Sequence, residues 1–376
     1  MGGKVVLAKA GVKQTRIGTL KKGNPPKSMH FLEKGKTAVI FVTGISSDKT
    51  FPSIGRYGKD FTYVNEKRIL KKQELIEEVK LANSEAALLT GADPLTKIDR
   101  CVSYTDLLKK SFGKQFHVSL ACPLKLVTPQ RLDRLFSVGL DELQVRVNLK
   151  DVAELSKLRY LKKYKEVAIE IEAFPDQLEE TKQLIDQTVG ITKYIIIREV
   201  GKNEYNHEIL KKYVLDQDVV KGSQSAGHKL LVYSAKKNLS GYYLPISLEA
   251  TLLEQRMKVK AKSVAKKYAQ VTAKGTIKHG VIYLSDMVPC AGYSIKLETV
   301  NKKNLVKKLF RIKRDLQREL NIQFDVVDVD EHKLRLTTDA KIVKTYAGFL
   351  KNMKLHPALV EEYPTHDDAE LNVEFL

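Results

Sequence analysis

The chain has 376 residues, 43% of them apolar, and its 65 lysines and arginines against 45 aspartates and glutamates give a formal charge of +20. That length supplies one large core and one smaller. No apolar run approaches a membrane span, and the start MGGKVVLAKAGVKQ lacks the continuous apolar stretch of a secretory leader, so a soluble, cytoplasmic protein is expected.

Residues 1–37 read as a basic arm, with Lys4, Lys9, Lys13, Arg16, Lys21 and Lys22 among nine cations set against the single Glu33 and few bulky apolar groups. Over 38–246 short apolar runs alternate with amphipathic stretches. The runs AVIFVTG, AALLTGAD, QFHVSLA, ELQVRV, EVAIEIEAF, YIIIREV and KLLVYSA have the near-continuous apolar character of parallel strands covered on both faces. Helical stretches separate them, and Thr128 before a proline marks one clear helix start. Such repeated β–α units predict a partial β/α barrel with its site at the strand C-termini.

From 247 to 285 the pattern changes to a connector. A long helix carries Arg256, Lys258, Lys260, Lys262, Lys266 and Lys267, and a hairpin turns around Lys274–Gly275. Residues 286–376 read as strand GYSIKLET, helix, strand IQFDVVDVD, strand KLRLTT, helix and two further strands. That order predicts a ferredoxin-like α+β domain with one extra strand. Its first helix sets Leu305, Leu309, Ile312, Leu316 and Leu320 in one stripe. Lys307, Lys308, Arg311, Arg314 and Arg318 lie on the other side.

Cys101, Cys122 and Cys290 stand far apart in no CxxC arrangement, so neither a disulfide framework nor a local thiolate site is visible, and each is expected to be buried. HExxH, Walker and GxGxxG motifs are missing from the chain. His117 lies inside a strand pattern and reads as a packed residue, while His207 follows a strand end. The cations on three separate segments point to a polyanion. Helix-turn-helix and zipper patterns are also missing, which favours structured RNA read through its phosphates over duplex DNA.

One stretch carries a further signal. The segments VTG at 42–44, GKDFTYVNEKR at 58–68, TGADPLTKIDRCVSYTDLLKKSFGKQFHVSL at 90–120, VAIEIEAFPD at 167–176 and KSVAKKYAQVTAKGTIKHG at 262–280 together resemble archaeal radical SAM proteins related to pyruvate formate-lyase activating enzyme. The resemblance implies a cluster loop of pattern Cys-x3-Cys-x2-Cys after the first strand, and here those positions hold Ser46, Thr50 and Ser53. It also implies a turn contacting the SAM amino group, represented by Gly91, Ala92, Asp93 and Pro94. Hydroxyls are poor ligands for a thiolate-held cluster.

The sequence therefore leads to the expectation of a degenerate, non-catalytic radical-SAM-like protein with no cofactor, neither cluster nor SAM. Its partner is expected to be RNA, ribosomal RNA or a ribosomal subunit above all, held by the arm and the basic helices in translation, with protein neighbours there. The alternatives are a SAM- or nucleotide-using RNA-modification enzyme and an inert subunit of a radical SAM complex.

Overall fold

Backbone N–H and C=O groups of buried strands must find partners, which joins neighbouring strands into one sheet, and seven strands do this in parallel. They are β1 (Thr37–Thr43), β2 (Ala86–Gly91), β3 (His117–Pro123), β4 (Glu142–Arg146), β5 (Val167–Glu172), β6 (Tyr194–Arg198) and β7 (Ser240–Leu244). The computed structural model describes residues 7–8, 10–47, 54–147, 149, 152–203, 206–290 and 293–376. The expectations for Lys4, Lys9, Thr50 and Ser53 fall outside them. Each parallel strand pairs with the next in chain order, and antiparallel strands close both flanks: Thr62–Val64 beside β1 and Leu20–Lys22 beside β7. The chain divides into two compact units, Met1–Arg256 and Met257–Leu376.

The two faces of the parallel sheet differ in chemistry. On one, Val118, Leu120, Leu143, Val145, Val167, Ile169, Ile171, Ile195 and Ile197 are buried against helices α1 (Lys72–Leu81), α2 (Ile98–Phe112), α3 (Pro129–Ser137), α4 (Leu178–Thr188) and α5 (Ser223–Lys236). In-register pairing sets His117, Ser119, Glu142, Gln144, Arg146, Glu170, Glu172 and Arg198 on the other.

The start of the chain covers part of that polar face, so its described portion is no loose arm. Lys21 and Lys22 lie in the strand paired to β7, and Lys13 lies in its hairpin partner. The helix Lys27–Glu33 buries Met29 with Ala168, Ile196, Tyr242, Leu244 and Leu252. Its Ser28 donates both its amide N–H, at 3.1 Å, and its hydroxyl to the carboxylate of Glu142. Gln144 donates to the same carboxylate at 2.9 Å, and His117 Nε2 lies 3.3 Å away. At the helix end, Glu33 accepts from Thr19 at 2.6 Å and Tyr242 at 2.8 Å.

Two expected strands are helices. KLLVYSA belongs to α5, where Ala226, Leu230, Leu231 and Ser234 recur at helical spacing and are buried; a short apolar run fits both periods. The seventh strand is instead Ser-Gly-Tyr-Tyr-Leu of β7. GYSIKLET likewise forms helix, over Tyr293–Thr299.

In the second unit the two-residue strand Gln270–Val271 pairs with β8 (Ile277–Leu284) and forms the hairpin expected around Lys274–Gly275. A helix over Lys302–Glu319 follows, then β9 (Val327–Asp330), β10 (Arg335–Thr338), β11 (Leu355–Glu362) and β12 (Glu370–Phe375). They form an antiparallel sheet in the order β9-β10-β8-β11-β12. The expected stripe packs inward: Leu309 and Leu316 are buried, flanked by Leu305, Ile312 and Leu320. Among the described residues no helix is long and apolar enough to cross a membrane.

Burial strips Glu142 of water and alone would raise its pKa, yet bonds from His117, Ser28 and Gln144 outweigh this and hold it below the usual value. A depressed folded-state pKa contributes stability that is complete above the unfolded value of about 4.3 and is lost as pH falls through the folded one. Glu142→Gln removes this charge and turns an amide donor toward donors. Urea denaturation at pH 7 should show a loss of about 2 kcal/mol, and the variant should lose less further stability than wild type between pH 5 and pH 3.

Candidate functional site

Parallel strands deliver their loops to one edge, the C-terminal one. There β1 ends in a loop whose stem is tied by Gly44 N–H to the Lys59 carbonyl at 3.0 Å and by Gly58 N–H to the Gly44 carbonyl at 2.9 Å. Asp60 fixes the returning limb. It accepts from Thr43 at 2.9 Å and Arg100 at 2.8 Å, and pairs with Lys97 at 2.9 Å. Burial would raise the Asp60 pKa, but Arg100, Lys97 and Thr43 overcome it and hold the carboxyl well below the usual range.

Ser46 and the turn 91–94, singled out separately in the sequence, meet here. One carboxylate oxygen of the buried Asp93 accepts from the Ser46 hydroxyl at 3.1 Å, the Ser47 hydroxyl at 2.6 Å and the Ser47 amide at 2.5 Å. Lys125 stands 3.7 Å from the same oxygen. Gly91 permits the approach: its φ is +145°, and a Cβ there would lie 2.4 Å from the Thr43 carbonyl oxygen. Ala92 N–H then donates to that oxygen at 3.1 Å, and Asp93 N–H to the Ile45 carbonyl at 3.2 Å.

The central strand ends add charges that the sequence reading passed over. Arg146, ending β4, donates to the carbonyls of Gly91 at 3.5 Å and Ala92 at 3.3 Å, while its buried Nε has no hydrogen-bond partner among the described residues. Beside it in register on β5 is Glu170, and two residues on is Glu172. Arg198, ending β6, lies 3.9 Å from Glu170 and 2.8 Å from Glu249. Glu172 is exposed at the strand end although many protein atoms surround it; that enclosure and then the charge of Glu170 push its carboxyl up, against the pull of Arg198 and Arg146, and its solvent exposure keeps the effect small. The signal lay in the strands themselves, as polar letters at alternate positions in VAIEIE and LQVR.

Other expected residues are not gathered into one site. Arg256 pairs with Glu66, Lys260 is buried, Lys266 lies 3.4 Å from Asp328, and Arg318 pairs with Glu319 at 3.1 Å and lies 3.7 Å from Asp315. Lys258 is half-buried, and Lys262, Lys267, Lys307, Lys308, Arg311 and Arg314 are exposed on their helices or just beyond. His117 is buried against Glu142, and His207 opens a short surface helix. Cys101 and Cys122 are buried, whereas Cys290 is exposed, contrary to expectation. No group of three or more His, Cys, Asp or Glu placed to hold a metal ion occurs among the described residues.

No family model matches the chain. A protein of Methanocaldococcus jannaschii described as a glycyl-radical enzyme activating enzyme is 32% identical over 268 residues, covering 66% of this chain and 71% of that protein. This relative overturns two expectations. An activating enzyme points to catalysis, so the non-catalytic, ribosome-associated RNA-binding reading is corrected, and nothing in the structure supports it. The expectation of no cofactor is corrected too, because radical SAM activating enzymes work with an iron–sulfur cluster and SAM.

Gly91→Ala forces a methyl group against backbone and should cost about 2–3 kcal/mol in a denaturant titration. Asp93→Asn removes the charge from three converging hydrogen bonds. Amide exchange at Ser47 should then accelerate about tenfold while exchange in β2 is unchanged.

Proposed function

The chain belongs to the radical SAM family of the glycyl-radical enzyme activating enzymes, and from that premise we propose that it is an enzyme binding S-adenosylmethionine at the C-terminal ends of β2, β4, β5 and β6. The observation that carries this reading is Arg146. Its guanidinium is aimed at the carbonyls of the 91–92 turn, and its buried Nε lacks a partner among the described residues. A planar donor fork with a spare N–H suits a carboxylate. Glu170 and Glu172 alongside suit a cationic group. S-adenosylmethionine offers both, a carboxylate beside an ammonium and a sulfonium, and when bound it supplies a carbon activated by that sulfonium. The role of this chain's residues is to bind and orient: Arg146 the carboxylate, the glutamates the positive end, and Asp93 the neighbouring Ser46–Ser47 segment.

The side chains present do not fit a thiolate-held cluster. Positions 46, 50 and 53 offer hydroxyls. Burial raises the Cys101 thiol pKa far above normal and that of Cys122 to about 12, leaving both as neutral thiols. By the relative's name the macromolecular substrate is a glycyl-radical enzyme, a role we extend to this chain as part of the proposal. We read the second unit, with its β–α–β–β–α–β order and a fifth strand, as a ferredoxin-like module appended to the catalytic one.

Titration calorimetry with S-adenosylmethionine tests the reading. Wild type should bind, 5′-methylthioadenosine, which lacks the amino-acid end, should bind at least about tenfold more weakly, and Arg146→Ala should lose about tenfold or more in affinity with an unchanged Tm. Absence of binding by wild type, or equal affinity in the variant, would overturn it.

A further inference from the structure

The second unit buries an unbalanced charge cluster at the base of its last strand. Arg335 on β10 is 1% exposed. It donates to Asp330 at 2.9 Å, Glu362 at 2.7 Å and Glu370 at 2.8 Å. Lys333, from the β9–β10 turn, donates to Glu370 at 3.3 Å and to the backbone carbonyl of Asp368 at 2.6 Å. From β8, His279 lies 3.2 Å from Glu362, and the Tyr283 hydroxyl donates to Glu370 at 3.3 Å. Tyr293 reaches the Lys333 carbonyl at 2.7 Å. In the β11–β12 connection, His366 faces Asp367 at 4.0 Å.

Counting charges leaves a surplus. Four carboxylates, Asp330, Glu362, Asp368 and Glu370, meet two permanent cations, Lys333 and Arg335. Three of the four carboxylates are bonded to Arg335. The Asp368 side chain is the one left over: it has no hydrogen bond or ion pair among the described residues, and its backbone sits at φ +46°, in the left-handed region. It stands two residues before β12 begins. The β11–β12 ladder is irregular where Glu361 and Glu362 pair with Asn372 and Glu370, two residues beyond Asp368, and Tyr363 N–H closes the connection onto the Ala369 carbonyl at 2.9 Å.

We propose that Asp368 is a proton-operated latch for the C-terminal strand: neutral, it lets β12 seat fully against β11, and charged, it is repelled by Glu362 and Asp330 and loosens the strand's first residues. Burial, then Glu362 and Asp330, push its carboxyl up to about 6, with Lys333 and Arg335 opposing. A folded-state pKa raised above the unfolded one contributes stability that is complete below the unfolded value and lost as pH rises through the folded one. Glu362, held down to about 2 chiefly by His279 and Arg335 against burial, keeps its charge throughout that window. The latch therefore operates between about pH 4 and pH 6, and above it the strand is in its loosened state.

Hydrogen exchange on the full chain between pH 5 and pH 8, corrected for intrinsic rates, reads the latch. Protection of amides in 363–373 should fall about tenfold or more with rising pH in wild type. In Asp368→Asn it should stay high and level. Asparagine tolerates the left-handed backbone, so this variant separates charge from strain. Carbon-detected NMR of the Asp368 carboxyl gives an independent titration midpoint. Protection that does not change with pH in wild type, an identical fall in the variant, or a midpoint near 4 would overturn the proposal.

Discussion

Glu142 is the interaction on which the first unit depends. A carboxylate buried to 1% exposure survives only if its charge is met, and the chain meets it by bringing Ser28 across 114 residues of sequence. Once Ser28 is fixed, Met29 enters the apolar cluster with Ile196, Tyr242 and Leu252, and Glu33 binds Thr19 and Tyr242. A polar core group thus specifies which segment covers the polar face of the sheet. An apolar residue at 142 would remove the desolvation cost and, with it, the reason for that segment to dock in one register.

The same face divides along the strands. Toward their N-terminal ends its polar groups satisfy one another, as His117, Glu142 and Gln144 do. Toward their C-terminal ends Arg146, Glu170, Glu172 and Arg198 are less completely matched. Polar groups that the fold leaves with spare bonding capacity at the mouth of a parallel sheet are those available to a ligand.

The β–α alternation of the first unit was legible because parallel strands advertise themselves as apolar runs, and six of those runs are strands. KLLVYSA misled because four apolar letters in a row satisfy both periods. Ser-Gly-Tyr-Tyr-Leu hid because a small pair precedes its aromatics. The basic start hid its packing for a different reason: Ser28, Met29 and Glu33 are single residues whose partners lie far away in sequence, and no local pattern announces them. At the site, Ser46 and the 91–94 turn were found through resemblance and do touch. Arg146, Glu170 and Arg198 were hidden in plain view as polar letters inside strands.

The strand Leu20–Lys22 borders β7, whose residues are 240–244, so the flank of the sheet is closed by two segments about as distant in the chain as the first unit allows. Such pairing carries a large loop-closure entropy and forms late. On a ribosome the strand Leu20–Lys22 emerges before β7 and must wait, unpaired, until more than two hundred further residues have been made. Like charges such as Lys13, Lys21 and Lys22 disfavour pairing of this segment with a second copy of itself while its strand partner is still unmade.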